Sequence, residues 1–377
     1  MKVLVVCGSF PPIKCGVGDY ANVLYNKMAD KIDVTVLTSK NADVPTDSKV
    51  KIINSIEKWK GYSLYKAILK EIKRGKYDLV HFQFPTSEYV NSSIMLFIVL
   101  PIILKLRGIK VVYTIHEYSN NRWISKVLRK PAIYCSNRII VVEDAFKSDI
   151  LKRNKLINKN KINIIHIGAN VPKSTKTKDE ILCLRNKILT DRRVGIEKIV
   201  GYFGFINVSK RLDIILQAFA ELKNENKLKS LLLIIGEFNS EKCPQELFDE
   251  LQNIIKNNEL EDYIYITGYV EDLEVGDYLK ASDATVFLFK NGVSVRNGSM
   301  LAAQQEGRTI ITTRPTNNLE YFDNGQFRLV ENDVETVKAE ILRAQDNPTE
   351  NFIQNDNDPW DAIVHKHIEI YEELVKK

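Results

Sequence analysis

The chain has 377 residues, 44% hydrophobic and 27% charged, which is enough apolar material for two domains of about 150 to 200 residues each. Its net charge of +6 conceals an asymmetry, since residues 1–172 hold 28 Lys/Arg against 13 Asp/Glu and residues 173–377 hold 26 against 35. Five widely spaced cysteines with no Cys-x-x-Cys pair argue against both a disulfide framework and a structural zinc site.

An apolar run over residues 2–7 follows Met1 at once. It is too short for the core of a signal peptide and reads as a first strand, so the expected compartment is the cytoplasm. The loop behind it carries Pro11-Pro12, Gly16 and Gly18 and leads into a helix over residues 19–28, for which Asp19 is the expected N-cap. Gly16 and Gly18 would let backbone amides approach a phosphate at that helix start. Ala21 stands where a dinucleotide fingerprint would need its third glycine, which disfavours a nicotinamide dehydrogenase.

Further strands are predicted over residues 34–38, 79–82, 111–115, 138–142 and 162–167. Between most of them lie segments of helical period, at residues 63–74, 91–106, 124–130 and 145–153. The apolar stretch 94–104 contains Pro101 and is about half as long as a bilayer crossing requires, so it reads as a buried helix. His81 lies inside a strand and reads as packing. The strand 111–115 runs into His116-Glu117, where an imidazole would stand at the carboxyl end of the sheet, suited to proton exchange or to bonding a sugar hydroxyl. His166 precedes Gly168 at the domain junction.

A polar stretch over residues 171–179 reads as the linker, and the alternation then begins again. Strands are predicted at 198–203, 231–236, 263–267, 284–289 and 309–313, and helices at 211–224, 244–257, 278–281 and 300–306. A final helix, 360–374, follows the polar run 354–358, which would let the chain cross back. The expected fold class is therefore α/β: two tandem doubly wound Rossmann-like domains, residues 1–172 and 173–359, with the C-terminal helix packing on the first. Ligands in such sheets sit beyond the carboxyl ends of the strands, and a cleft between two of them is the expected site.

Two loops of the second domain suggest an anion. Lys210 and Arg211 stand at the start of the helix 211–224, where cations oppose the helix dipole unless they answer a negative ligand; two solvated cations are the alternative. The strand-loop-helix at 284–307 places Gly292, Arg296 and Gly298 before a helix start, a layout that cradles phosphate or serves only as a turn. No Lys-Ser or Lys-Thr follows a glycine there, so it is not a Walker A loop.

An ordered set of short motifs resembles a known family. Phe10-Pro-Pro with Gly16, Tyr77-Asp-Leu-Val-His81, Thr114-Ile-His116, Ile165-His-Ile-Gly168, Gly204 with Lys210, Thr267-Gly-Tyr269, Ala281-Ser-Asp283 and Gly307 before a strand are spread over nearly the whole chain. The set is similar to the GT-B glycosyltransferases of the retaining, glycogen-synthase-like group, glycosyltransferase family 4. The resemblance implies hexosyl transfer from a nucleotide-sugar, with the donor bound mainly by the C-terminal domain and the acceptor by the N-terminal one. With the residues' own placement in the chain, this gives as expected donor-binding residues Gly16, Gly18, Gly204, Asn207, Gly268, Arg296, Asn297, Gly298 and Ser299, as catalytic ones His116, Lys210 and Arg211, and as acceptor-side ones Glu117 and His166.

Two departures stand out. The family's diphosphate loop usually carries two glutamates, which align here with Ser294 and Ala302, and the arginine that commonly pairs with the donor-site lysine falls at Phe205. No Asp-x-Asp beside a strand end suggests Mg²⁺, so no metal or cofactor is expected and protein groups would meet the leaving-group charge. The basic first half suits an acceptor that is a glycan or a polyprenyl-diphosphate-linked sugar at the inner face of the cytoplasmic membrane, with Lys126, Arg129, Lys130, Lys152, Arg153 and Lys155 as candidate contacts. Surface-polysaccharide assembly is the setting the resemblance implies. A sugar-nucleotide epimerase, a non-catalytic partner subunit and a nucleic-acid binder are the competing readings. The last is disfavoured because the basic residues are not interleaved with aromatics in a recognisable module.

Overall fold

A computed structural model describes residues 1–13, 15–42, 48–89, 95–118, 123–190, 195–238, 243–346 and 358–376. The chain divides into two compact units, Met1–Asn170 with Asn357–Lys377, and Val171–Asp356.

In the first unit seven parallel strands, β1 (Lys2–Val6), β2 (Asp33–Ser39), β3 (Lys51–Ile56), β4 (Leu79–Phe84), β5 (Lys110–Ile115), β6 (Arg138–Val141) and β7 (Ile162–Ile164), lie in the order β3-β2-β1-β4-β5-β6-β7. The connecting helices are α1 (Gly16–Met28), α2 (Gly61–Gly75), α3 (Leu100–Leu106), α4 (Trp123–Leu128), α5 (Lys130–Cys135) and α6 (Asp144–Arg153). The two-residue period of β1 sends Val3, Val5 and Cys7 to the face covered by α1, and Leu4 and Val6 to the face covered by α2, α3 and α5. Both faces are dry, so β1 reads as an unbroken apolar run rather than an alternating one. The edge strand β3, Lys-Ile-Ile-Asn-Ser-Ile, is half exposed and mostly lacks that signature, which is why periodicity overlooks it.

Two predicted helices are divided. The segment predicted at 91–106 enters as a π-turn, Met95–Val99, before α3, and its first four residues lie outside the described ones. The segment predicted at 124–130 is α4 followed by a separate α5, whose first turn holds Pro131, a residue with no amide to leave unbonded there.

The C-terminal helix, Pro359–Val375, places Trp360, Ile363, Val364, Tyr371 and Leu374 in the same core as α1. The Trp360 indole donates to the Ala169 carbonyl at 2.9 Å, and a Cβ on Gly168 would meet its ring at 2.7 Å, so residue 168 has room only for glycine. Of the polar run 354–358, residues 354–357 lie outside the described residues.

In the second unit six parallel strands, β8 (Lys198–Phe203), β9 (Ser230–Ile235), β10 (Ile264–Ile266), β11 (Ala284–Phe287), β12 (Thr309–Thr313) and β13 (Phe327–Val330), run in the order β10-β9-β8-β11-β12-β13. They are covered by α7 (Lys178–Leu189), α8 (Leu212–Asn224), α9 (Gln245–Asn257), α10 (Asp272–Ala281), α11 (Gly298–Gln305), the short α12 (Leu319–Phe322) and α13 (Val334–Asp346); the C-terminal helix of the first unit is α14. The stretch 171–179, expected to be a free linker, is anchored. The Ser174 amide donates to Glu306 at 2.9 Å and its hydroxyl to Asp277 at 2.6 Å, Lys176 pairs with Asp277 at 2.6 Å, and Thr177 opens α7 in a capping box with Glu180. Among the described residues no helix is long and apolar enough to cross a membrane.

Trp360→Ala removes an almost fully buried indole and its hydrogen bond, and should destabilise the first unit by about 3 to 5 kcal/mol. Urea unfolding followed by fluorescence of the tryptophans left in that unit measures this; a loss below about 1 kcal/mol would show that α14 contributes little to its core.

Candidate functional site

The order of the second sheet sets where chemistry can gather. β8 and β11 are neighbours, and the chain leaves β8 toward β9 but leaves β11 toward β12, so their carboxyl ends flank a point where the connections diverge. β8 ends at Gly204, whose φ of +125° is open to glycine and strained for other residues. A Cβ there would lie 3.6 Å from the Ser299 side chain, so Gly204 faces the first turn of α11.

The chain continues from Gly204 into the short turn Val208–Lys210. Asn207 organises it, its Oδ1 accepting from the Ser209 amide at 3.0 Å and the Ser209 hydroxyl at 2.5 Å. This turn carries Lys210 inward. Its Nζ lies 3.4 Å from the Ser299 hydroxyl and 4.2 Å from the centre of the Phe289 ring. Burial lowers its pKa from the ordinary 10.5 to about 8, and no carboxylate among the described residues answers the charge. The π face of Phe289 offsets part of the desolvation. An anion would offset more.

Arg211 departs from its expected role. Its φ of 46° puts it in the left-handed region at the N-cap of α8, and its Nε and Nη2 hold Asp213 at 3.1 and 2.9 Å. Asp213, in the first turn, folds back on the guanidinium and already supplies the counter-charge. Arg211 is therefore a capped structural cation rather than a second open one.

The start of α11 is left open. Asn297 stands at its N-cap, but the Asn297 Oδ1 accepts from the Ser294 amide at 2.7 Å and makes no cap to the helix. The first amides of α11 thus lack a side-chain acceptor, and an added Cβ on Gly298 would meet nothing within 4 Å. Ser299 is buried in that turn, and the half-buried Arg296 sits just before it, its amide donating to the Ser294 hydroxyl at 3.3 Å. Gly204, Lys210, Asn297, Gly298 and Ser299 are brought together, with Phe289 as a member the sequence reading overlooked. Gly268, at φ +70° beyond β10, lies two strands from β8.

Neither position of the two family glutamates carries a carboxylate. Ser294 is spent within its own loop, and Ala302 is fully buried. Glu306, at the other end of α11, does not replace them: it accepts from the Ser174 amide, and burial pushes its pKa up to about 7.

In the first unit α1 begins at Gly16, with Cys15 at the N-cap, and not at Asp19. Asp19 falls in the first turn, where its carboxylate already complements the helix dipole. Gly18 has a packing role, since a Cβ would lie 2.6 Å from the Ser9 carbonyl oxygen, whereas Gly16 has open space.

His116 follows β5 directly. Its amide donates to the Phe84 carbonyl at 2.7 Å, its Nε2 lies 2.7 Å from Gln83 Oε1, and its ring meets the edge of Tyr20 at 5.0 Å. Gln83 donates to the Tyr25 hydroxyl at 2.6 Å. The Tyr25 and Tyr371 hydroxyls lie 3.0 and 2.5 Å from His81 Nδ1, and His81 Nε2 reaches Thr114 at 2.8 Å. Burial first, then the nearby His367 and His116, holds His81 well below the usual histidine range, so it is a neutral core residue as expected. His116 is the outer end of this buried chain. Gln83 was overlooked in the sequence, although two polar residues at strand spacing, His81 and Gln83, in an otherwise apolar run were a legible signal.

Glu117 offers its carbonyl to Arg129 at 2.8 Å, and His166 pairs through Nε2 with Asp144 at 2.9 Å. Lys126 and Arg129 are buried, the former paired with Asp149 at 2.7 Å, and so do not belong to an outward basic surface. Among the described residues no three His, Cys, Asp or Glu side chains gather as a metal site.

Comparison with known proteins places these features. The family described as Glycosyltransferase Family 4 matches residues 15–172, and the family described as Glycosyl transferases group 1 matches residues 197–347. No curated protein sequence matches the chain. Among solved structures, a glycosyltransferase from Rickettsia africae has a TM-score of 0.74 at 17% identity, covering 100% of this chain and 99% of its own. HepE of Anabaena, solved with UDP and glucose, has a TM-score of 0.67 at 15% identity, covering 100% and 98%. The catalytic domain of starch synthase IV from Arabidopsis thaliana, bound to ADP and acarbose, has a TM-score of 0.67 at 11% identity and covers 100% of both chains.

Two outcomes follow from this geometry. Free Lys210 loses its proton near pH 8, so affinity for a nucleoside diphosphate should fall above that pH, by up to about ten-fold per unit, and Lys210→Arg should flatten the profile. Titration calorimetry between pH 7 and 9.5 decides, and a flat wild-type curve would contradict the placement. The sign for stability is opposite: the unfolded chain holds this proton up to about 10.5, so burial of the charged lysine costs stability below about 8, and the cost fades as pH rises toward 10.5. Gly18→Ala should lower the melting temperature and leave diphosphate affinity unchanged, because its Cβ strikes Ser9 rather than a ligand.

Proposed function

Because the chain belongs to the glycosyltransferases of family 4, enzymes of GT-B fold, we propose that it moves a sugar from a nucleotide-sugar donor to a glycan or lipid-linked acceptor, with retention at the anomeric carbon and without a metal ion. The observation that carries the donor assignment is Lys210, half-buried, without a carboxylate partner among the described residues, and aimed at the uncapped start of α11 beside Ser299. UDP and ADP, bound in two of the similar structures, carry the diphosphate that such a group would take.

As the bond from the sugar to the diphosphate breaks, negative charge grows on the departing phosphate oxygen. The Lys210 ammonium, the Gly298 and Ser299 amides and the Ser299 hydroxyl are the groups placed to receive it, and Gly204 leaves room for the phosphate beside them. These groups are held in position before the charge develops, so little reorganisation is required at that moment. Arg296 stands next in the chain to the same amides and adds charge to the site. Asn297 acts indirectly: by bonding to Ser294 it leaves the helix amides open. His116 serves the acceptor side, its ring steadied through Gln83 and Tyr20. With Ser294 and Ala302 in place of carboxylates, leaving-group stabilisation rests on cation and amides alone. The setting proposed is surface-polysaccharide assembly at the inner face of the cytoplasmic membrane, with the protein held peripherally.

Lys210→Ala should lower turnover at least about a hundred-fold with unchanged circular dichroism, since one preorganised donor to a developing oxyanion is worth about 3 kcal/mol. A panel of UDP-, GDP- and ADP-sugars in thermal-shift measurements should yield one series that stabilises the wild type, by about 2.7 kcal/mol at a hundred times its Kd. Wild-type rates in the variant, or no stabilisation by any donor, would overturn the assignment.

A further inference from the structure

The helices on one face of the first sheet present an outer surface that the transfer reaction does not use. Inward, α2, α3 and α5 contribute Leu64, Ile68, Leu100, Leu104 and Ala132 to the core. Outward, α2 carries Lys66, Lys70, Lys73 and Arg74, all exposed, while the acid of that helix, Glu71, is turned inward and accepts from the Tyr77 hydroxyl at 2.9 Å. The helix therefore shows solvent a cationic face with no acid on it. Among the described residues none of these four cations is held in an ion pair.

Apolar side chains lie among them. Tyr62, Tyr65, Leu69 and Ile72 form a shallow groove on α2 that continues to Arg107 and Ile109 beyond α3. Along the same row of helices, in which α3 packs on α5 and α5 on α4, Leu106 is 81% exposed and Trp123 69% exposed, and Ile124 and Val127 on α4 are exposed as well.

Large apolar side chains left in water among unpaired cations are a poor surface for a free protein and a good one for an anionic bilayer. The aromatic rings and Leu106 suit the boundary between headgroups and acyl chains, and the lysines suit lipid phosphates. Nucleic acid would match the charge but leave Ile124, Val127 and Leu106 unsatisfied. We propose that the face formed by α2, α3 and α4 is a docking surface for an anionic lipid bilayer. It deepens the peripheral-membrane part of the functional reading, and rests on that part alone. The charged segment formed by the last turn of α6 and the residues after it, with Lys152, Lys155 and Lys159, is excluded as the main contact. It combines exposed lysines with a single exposed apolar residue, Leu156, and no aromatic.

Co-sedimentation of the full chain with phosphatidylcholine vesicles, with and without phosphatidylglycerol, tests this. Wild type should bind only the anionic vesicles, and less as salt rises. The triple variant Lys66→Gln, Lys70→Gln, Lys73→Gln should bind about a hundred-fold more weakly, at about five-fold for each lysine near the surface. Trp123→Ser with Ile124→Ser should also release the protein. Lys152→Gln, Lys155→Gln, Lys159→Gln, which removes equal charge elsewhere, should change binding less than about three-fold. Equal loss in both triple variants would overturn the assignment, as would no vesicle binding by wild type, or tight binding to duplex DNA in its place. Thermal shift by the nucleotide-sugar, measured in parallel, should be the same in all variants. Its absence in wild type would indict the donor reading and not the docking surface.

Discussion

The parallel pairing of β8 with β11 is the constraint from which the proposed donor site follows. It sets Ala284 against Val200 and Thr285 against Gly201, so the two strands end side by side. Gly204 and the turn holding Lys210 leave from one end, and the loop that starts α11 leaves from the other. Because a βαβ crossover is right-handed, the chain diverges on either side of this pair, and the space beyond it stays open to a ligand. A lysine, a hydroxyl and a helix start, 89 residues apart in sequence between Lys210 and Ser299, meet there without any direct sequence relation.

What the site does chemically depends on an imbalance. Most cations near it are answered within the protein, as Arg211 is by Asp213. Among the described residues Lys210 is answered by a hydroxyl and an aromatic ring, and burial makes its charge costly. The helix amides of α11 are unanswered in the opposite sense, as donors without an acceptor. One diphosphate would complete both, and the proposed site calls on neither of the family's two carboxylates. Ala302 is closed off by burial, so the change at that position is absorbed into the core and leaves no gap in the site.

The first unit is built on a different economy. Its polar residues are chained to one another through the core, from Thr114 and Tyr371 through His81 and Tyr25 to Gln83 and out to His116. Such a chain holds one ring in one orientation, because each member has its bonding partners inside the protein. α14 supplies Tyr371 to this chain and Trp360 to the clasp at Gly168, so the last helix of the polypeptide steadies the histidine at the end of β5. On the opposite face of the same sheet, the outward surfaces of α2 and α4 remain uncommitted to the fold.

The amino-acid sequence by itself determined the α/β class, two doubly wound sheets, most strand positions and the glycosyltransferase resemblance. All of these rest on short-range periodicity and on motifs that local residues carry. It misplaced or missed what depends on neighbours distant in the chain. β3 and β13 lie at sheet edges with weak apolar patterns, α1 starts three residues before its expected cap, and the supposed linker is bound by Asp277 and Glu306. Only the tertiary structure decided which candidate groups have a task already. Arg211 is taken by Asp213, Gly18 by Ser9, Lys126 by Asp149 and Glu306 by Ser174, whereas Lys210 and the start of α11 are not. The physical reason is that a residue's type sets what it can bond to, but its availability is set by what the fold brings within about 3 Å of it.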